Sequence, residues 1–190
     1  MRIFFARGES RTDLNDLFSA AATSNISNRS DKGDTPYNLR NCAYWGDFAR
    51  PKIVWCEISD RSKFAYDSSC EFVPEATTFL MTGHDLPYLL CLLNSPLAEW
   101  FFSKLGTTTG VGTVRWKKYT IEQLLIPTIN EDLKKLFSNW VDETNDGVKS
   151  TDELAEVANA EIYNILHLSK DEIAYVEGFY PPLKASPTDH

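Results

Sequence analysis

The chain has 190 residues, of which 43% are hydrophobic and 13% aromatic, enough to bury a core and to exclude wholesale disorder. Its longest apolar run, Leu86–Leu93, falls well short of the roughly 18–20 residues of a membrane helix, and the opening MRIFFARGESR has too short an apolar stretch for an ordinary secretory signal. Residues 1–128 carry 14 Lys+Arg and 14 Asp+Glu, whereas residues 129–190 carry 5 and 13; the net charge of −8 lies in the tail, which excludes a general nucleic-acid coat but leaves a neutral front with local basic clusters able to meet phosphate.

In chain order, residues 1–36 form a polar, breaker-rich N-terminal segment, expected to be mobile, in which only Ile3–Ala6 reads as a short strand. Three short strands follow: Lys52–Ile58, Phe64–Asp67 and Thr77–Thr82, each rich in β-branched or aromatic residues and separated by polar turns. Residues 85–105 read as two helices. Asp85 is placed to cap the first, which is apolar on every face and therefore buried. Ser95 and Pro96 break and restart the helix, with Ser95 as N-cap and Gly106 at the end. Tyr119–Pro127 is expected to be a further strand. Beyond it Leu133, Leu136, Phe137, Trp140 and Val141 recur at helical spacing, Asn145–Gly147 ends that helix, and Ser150 with Glu153 opens the next as a capping box. Ser169 with Glu172 repeats the box for a short last helix. The expected fold class is α+β: a small mixed or antiparallel sheet with packed helices over residues 37–128, then a C-terminal helical hairpin in an acidic tail over residues 129–190.

Catalytic signatures are scarce. Cys42, Cys56, Cys70 and Cys91 form no CxxC pair, and His84, His167 and His190 are scattered, so reduced thiols rather than a zinc site are expected. There is no phosphate-binding GxGxxG or GxxxxGK[ST], and no GxSxG. Asp132-Leu133-Lys134 has a nuclease-like spacing, but an acid in the first turn of an amphipathic helix is explained by the helix dipole. Glu57 and Asp60 are better read as partners in turn-facing salt bridges than as metal ligands. Asn94-Ser95-Pro96-Leu97 lacks the second proline and the aromatic of a methyltransferase tetrapeptide. No catalytic or metal-binding residue is assigned.

Binding chemistry is concentrated in Gly106–Tyr119. Gly112 allows close backbone approach, Thr107, Thr108, Thr109 and Thr113 offer hydroxyls, and Arg115, Lys117 and Lys118 bring three cations with Trp116 and Tyr119 interleaved. Amides, hydroxyls and cations are the groups that hold phosphate oxygens. A second basic set, Arg50, Lys52, Arg61 and Lys63, surrounds the first two strands. If those strands pair as a hairpin, its two halves sit at opposite ends.

These residues together resemble a known family, the TaqI-like C-terminal specificity domain, the target-recognition domain of restriction-modification enzymes and adenine-specific DNA methyltransferases. The resemblance runs through Thr35–Trp45 with Phe48, Pro51–Ile58, Phe64–Asp67, Thr77–Gly83, the leucine-rich Tyr88–Ser95 with its Leu-Asn-Ser, Gly112-Thr113 with Arg115–Lys118, and Leu124–Pro127. The tail, with Ala160–Tyr163 and Leu166–Ile173, is similar to the helical ending common in these enzymes. The resemblance implies sequence-specific recognition of double-stranded DNA in the bacterial cytoplasm. It also implies a methyltransferase or nuclease domain or subunit as partner, with S-adenosylmethionine as that partner's cofactor and none in this chain. The methyltransferase core is absent here, so a fragment, a truncated frame or a separate recognition polypeptide is expected. The rival expectation is a non-catalytic protein-interaction or scaffold module that docks through the tail helices. A standalone hydrolase has no residues in its favour.

Overall fold

The structure is a computed structural model that describes residues 2–6, 45–74, 77–105 and 114–179. Strand β1 (Arg2–Ala6) is followed by a single 3-10 turn, Trp45–Asp47, and then by β2 (Lys52–Cys56), β3 (Ile58–Ser59), β4 (Ala65–Asp67) and β5 (Thr78–Thr82). Helices α1 (Leu86–Leu93) and α2 (Pro96–Leu105) come next. They are followed by β6 (Val114–Arg115), a one-turn helix α3 (Lys118–Ile121), and then α4 (Glu131–Asn145), α5 (Thr151–Ile165) and α6 (Lys170–Phe179). Apart from β1, the expected mobile segment over residues 1–36 lies outside the described residues.

Among the described residues the main sheet has the order β1-β5-β2-β4, antiparallel throughout. β5 is flanked on both sides, and four of its five residues are buried. A separate two-stranded ribbon joins β3 to β6, with Ile58 opposite Arg115 and Ser59 opposite Val114. The fold is α+β, with helices at the C-terminal side.

Helix α1 lies between β2 and β4 on one side and α4 and α5 on the other. That position explains its composition: Leu86 and Tyr88 through Leu93 are all buried, so no polar face is left to write into the sequence. Phe137 and Val141 from α4, and Ala158 and Ile162 from α5, share one core with Ile53, Trp55 and Met81 of the sheet. Helix α6 turns back onto α2. The tail helices are thus built onto the sheet layer through α1 and α2.

Among the described residues, helix ends follow the sequence with one exception; the expected end at Gly106 lies outside them. Ser95 Oγ accepts from the Ala98 amide at 3.2 Å and donates to the Leu92 carbonyl at 2.7 Å, which makes the break and the restart. Ser150 with Glu153 and Ser169 with Glu172 form the two reciprocal boxes. Gly147, at φ 73°, supplies the left-handed residue that ends α4. The exception is Asp85. It stands before α1 with φ 58° and makes no side-chain cap; its carboxylate faces Lys134 of α4 at 3.4 Å instead.

The expected strand Tyr119–Pro127 is a second correction. The Lys117 carbonyl accepts from the amides of Thr120 and Ile121 at 3.0 and 3.1 Å, which starts one helical turn. Thr120 and Ile121 are buried, whereas Leu125 is 85% exposed. The run is apolar, but tertiary contacts choose which of its members go inside.

Lys52, the first residue of β2, is fully buried at 0% exposure. Its register partner is Asp67 of β4. The ammonium donates to Asp67 Oδ2 and, at 2.9 Å, to the Phe48 carbonyl. Asp67 Oδ1 also accepts from Ser69 Oγ at 2.8 Å and the Cys70 amide at 3.0 Å, while Oδ2 accepts from the Phe72 amide at 3.3 Å. Burial raises the Asp67 carboxyl, but the Lys52, Ser69 and Phe72 hydrogen bonds outweigh it and hold the group below its ordinary 3.8. A depressed carboxyl contributes stability that is present above the unfolded value and lost as pH falls through the folded one. Acid unfolding followed by circular dichroism should therefore include a component below about pH 4 that Asp67→Asn removes. Lys52→Met strands the carboxylate and should cost about 3–5 kcal/mol in urea unfolding, part of which Lys52→Met/Asp67→Asn recovers by removing the unpaired charge.

Candidate nucleic-acid interface

The basic stretch 115–118 is set by its tryptophan. Trp116 is 3% exposed and packs edge-on against Phe64 at 5.8 Å and Phe102 at 5.3 Å between ring centroids. Its amide donates to the Glu57 carbonyl at 2.7 Å. Its own carbonyl accepts from Trp55 Nε1 at 2.9 Å. Backbone and ring are thus both held. In extended chain the neighbours of an inward residue point the other way, so Arg115 stands 43% exposed at the side chain and Lys117 is half-buried, its ammonium 5.8 Å from the Tyr119 ring centre. Helix α3 repeats the device: buried Thr120 and Ile121 leave Lys118 and Tyr119 exposed. Trp116, expected among the binding aromatics, is core, because its large apolar area is worth more inside.

The cations have carboxylate neighbours. Arg115 faces Glu57 at 3.4 Å, Lys118 faces Glu122 at 3.8 Å and Lys63 faces Asp60 at 2.6 Å. Glu57 and Asp60 are therefore salt-bridge partners, as their turn positions implied. Asp60 is held below the usual carboxylate range by its hydrogen bond to Lys63. Such exposed pairs are weak and leave the cations open to exchange toward a stronger anion.

The second basic set divides. Lys52 pairs with Asp67 and Val54 with Ala65 across β2 and β4, so Lys63, before β4, lies toward the end of β2 remote from Lys52. Arg61 and Lys63 follow β3 directly, in a turn where Ser59 Oγ accepts from the Arg61 amide at 3.2 Å. Glu99 of α2 accepts from the Ser62 amide and hydroxyl at 2.9 and 2.7 Å, which holds the turn to the helix. Arg61, Lys63, Arg115, Lys117 and Lys118 thus gather around the β3–β6 ribbon. Arg50 is at the far end of β2, 3.2 Å from Asp47. Lys52 has no exposed surface with which to touch a phosphate and leaves the candidate set. Thr107, Thr108, Thr109, Gly112 and Thr113 lie outside the described residues, in the segment that leads into β6.

Two features were not singled out in the sequence. Phe72 and Val73 are exposed at the tip of the turn that Asp67 organises; the Asp-Ser-Ser-Cys run was the available signal, since Asp commonly bonds the amides that follow it. The Leu-Asn-Ser motif also acquires a structural role. Asn94 Oδ1 accepts from the Phe64 amide at 3.0 Å and Nδ2 donates to the Phe64 carbonyl at 2.9 Å. The junction of α1 and α2 is thereby tied to the start of β4, under Trp116. Asp132 is exposed in the first turn of α4, whose cap is Asn130.

The family model for the TaqI-like C-terminal specificity domain matches residues 9–126, more than half of the chain. The chain belongs to this family. The match contains the whole β3–β6 ribbon and every basic residue gathered around it. A specificity domain of this family points to DNA target recognition in restriction-modification systems. No curated protein matches the chain. Among the described residues no helix is long and apolar enough to cross a membrane.

The two kinds of residue in the stretch should separate by mutation. Trp116→Ala should cost about 3–5 kcal/mol through loss of buried area and an unfilled cavity. Arg115→Ala should change stability by less than about 1 kcal/mol. Chemical denaturation of the two variants measures both.

Proposed function

We propose that this chain is the sequence-specific DNA target-recognition domain of a bacterial, cytoplasmic restriction-modification system. It positions duplex DNA for an adenine methyltransferase or endonuclease carried by another domain or subunit. The observation that carries this is the buried Trp116: it anchors the basic stretch Arg115–Lys118 on the β3–β6 ribbon, with Arg115 and Lys118 exposed, inside the region that matches a specificity family. Cations on a fixed backbone set register on phosphates, and loops leading from them then meet base edges in a groove.

The division of labour follows from charge. Arg115, Lys117, Lys118, Arg61 and Lys63 hold the phosphate backbone, and the hydroxyls of Thr107, Thr108, Thr109 and Thr113 with the Gly112 amide add phosphate-binding groups. Arg115, Lys118 and Lys63 each exchange a weak carboxylate partner for a phosphate. Arg50 is too far along the sheet to belong to the same contact. Trp116 and Lys52 keep the scaffold that aims the others. The partner supplies S-adenosylmethionine and takes the target adenine out of the stack, while the acidic tail faces protein rather than DNA. Exposed Leu125 and Ile126, next to α3, favour a protein contact beside the DNA contact, which joins the docking-module reading to this one.

At about 50 mM salt a gel shift with short duplexes should show weak binding that fades steeply as salt rises. An Arg115→Ala/Lys117→Ala/Lys118→Ala variant should bind far more weakly, with a salt slope shallower by about 2–3. Absence of binding by the parent, alone and with a supplied methyltransferase partner, would leave the docking-module reading.

A further inference from the structure

The α2–α6 contact has a cavity of its own, remote in sequence from the ribbon. Its volume is about 360 Å³. Leu97 from α2, with Leu168 and Val176 from the last segment, makes its apolar wall. Trp100 and Tyr175 line it as well, with ring centres 6.4 Å apart and edge to face. Asp171 and Glu172, in the first turn of α6, complete the lining. Glu172 is occupied in capping Ser169. Asp171 has no ion-pair partner among the described residues, and Tyr175 is 61% exposed.

This combination selects for a cation on an apolar stem. Aromatic faces attract cations, and a nearby carboxylate supplies the counter-charge. The Trp100 indole already shows the chemistry: Lys104 Nζ lies 5.9 Å from its ring centre and 4.9 Å from that of Phe179. A guanidinium fits better than an ammonium, because it is planar, weakly hydrated and able to stack on a ring while bonding a carboxylate. The surroundings exclude nucleic acid as the source. Residues 129–190 carry 5 basic and 13 acidic side chains, a field that repels phosphate and attracts a basic surface.

We propose that this pocket receives an arginine side chain from a basic segment of a partner protein. The exposed Tyr175 ring takes the guanidinium, Asp171 pairs with it, and Leu97, Leu168 and Val176, with Trp100 packed edge-on against Tyr175, take the methylene stem. The site extends the tail's role as a protein-facing surface, and it stands or falls independently of DNA binding at the ribbon.

The test is a titration of the isotope-labelled full chain with N-acetyl-arginine amide at low salt, followed by nuclear magnetic resonance at the Trp100 indole N–H and the Asp171 and Tyr175 amides. The uncharged isostere N-acetyl-citrulline amide is the control. Saturable shifts with arginine, little response to citrulline, and a weakening of at least about fivefold in Asp171→Asn and in Tyr175→Ala are expected. Both positions are exposed, so the variants keep the fold. Their duplex binding in the gel shift should equal the parent's, which separates this site from the ribbon. No saturable shift up to about 50 mM arginine amide, an equal response to citrulline, unchanged binding in both variants, or a response of the same signals to duplex DNA instead would overturn the proposal.

Discussion

Trp116 is the constraint on which the proposed DNA-facing surface depends. A single indole is buried between Phe64 and Phe102, its amide bonded to Glu57 and its carbonyl to Trp55. Those contacts come from β2, the turn after it, the lead into β4, and α2. Each of these elements must be in place for the basic stretch to have one conformation. Without the ring inside, Arg115 and Lys117 would have no reason to point the same way. Rigid display matters here because the exposed ion pairs around these cations are individually weak; it is their fixed arrangement, not their strength, that can match a row of phosphates.

A buried charge pair does comparable work at the other end of β2. Lys52 and Asp67 are opposite each other in register, and a buried pair of this kind tolerates no slip: a shift by one residue would bury an unpaired ammonium. The same carboxylate organises the turn that ends in Phe72 and Val73. One aspartate thus sets both strand register and loop shape. Asn94 links this region to the helices by bonding both backbone groups of Phe64, so the Leu-Asn-Ser of the family resemblance is a joint of the scaffold rather than a reader of DNA.

The charge asymmetry of the chain becomes spatial in the fold. Basic residues gather around the β3–β6 ribbon, while the acid-rich helices α4 to α6 are built on through α1 and α2. The polar faces of those helices carry the negative charge, and their apolar faces complete the sheet core through Phe137, Val141, Ala158 and Ile162. The cations of one chain are thus concentrated near the ribbon and its excess acid on the tail helices.

The sequence by itself determined what is local. Hydrophobic periodicity marked α1, α2, α4 and α5; β-branched and aromatic runs marked β2, β4 and β5; Ser95, Ser150 and Ser169 announced their helices through bonds that span three residues. The family pattern was legible in the same way, as ordered short segments. What only the tertiary structure decided is which side each ambiguous residue takes. Lys52 and Lys63 are chemically alike, yet one is sealed against Asp67 and the other is exposed, because a strand opposite supplies a carboxylate at one position only. Trp116 could serve a ligand or a core, and Tyr119–Pro127 could be strand or turn. Both were settled by neighbours far away in the chain, Phe64 and Trp55 for the first, and for the second Tyr88 bonding the Pro127 carbonyl, contacts that no local window contains because burial is a property of the assembled chain.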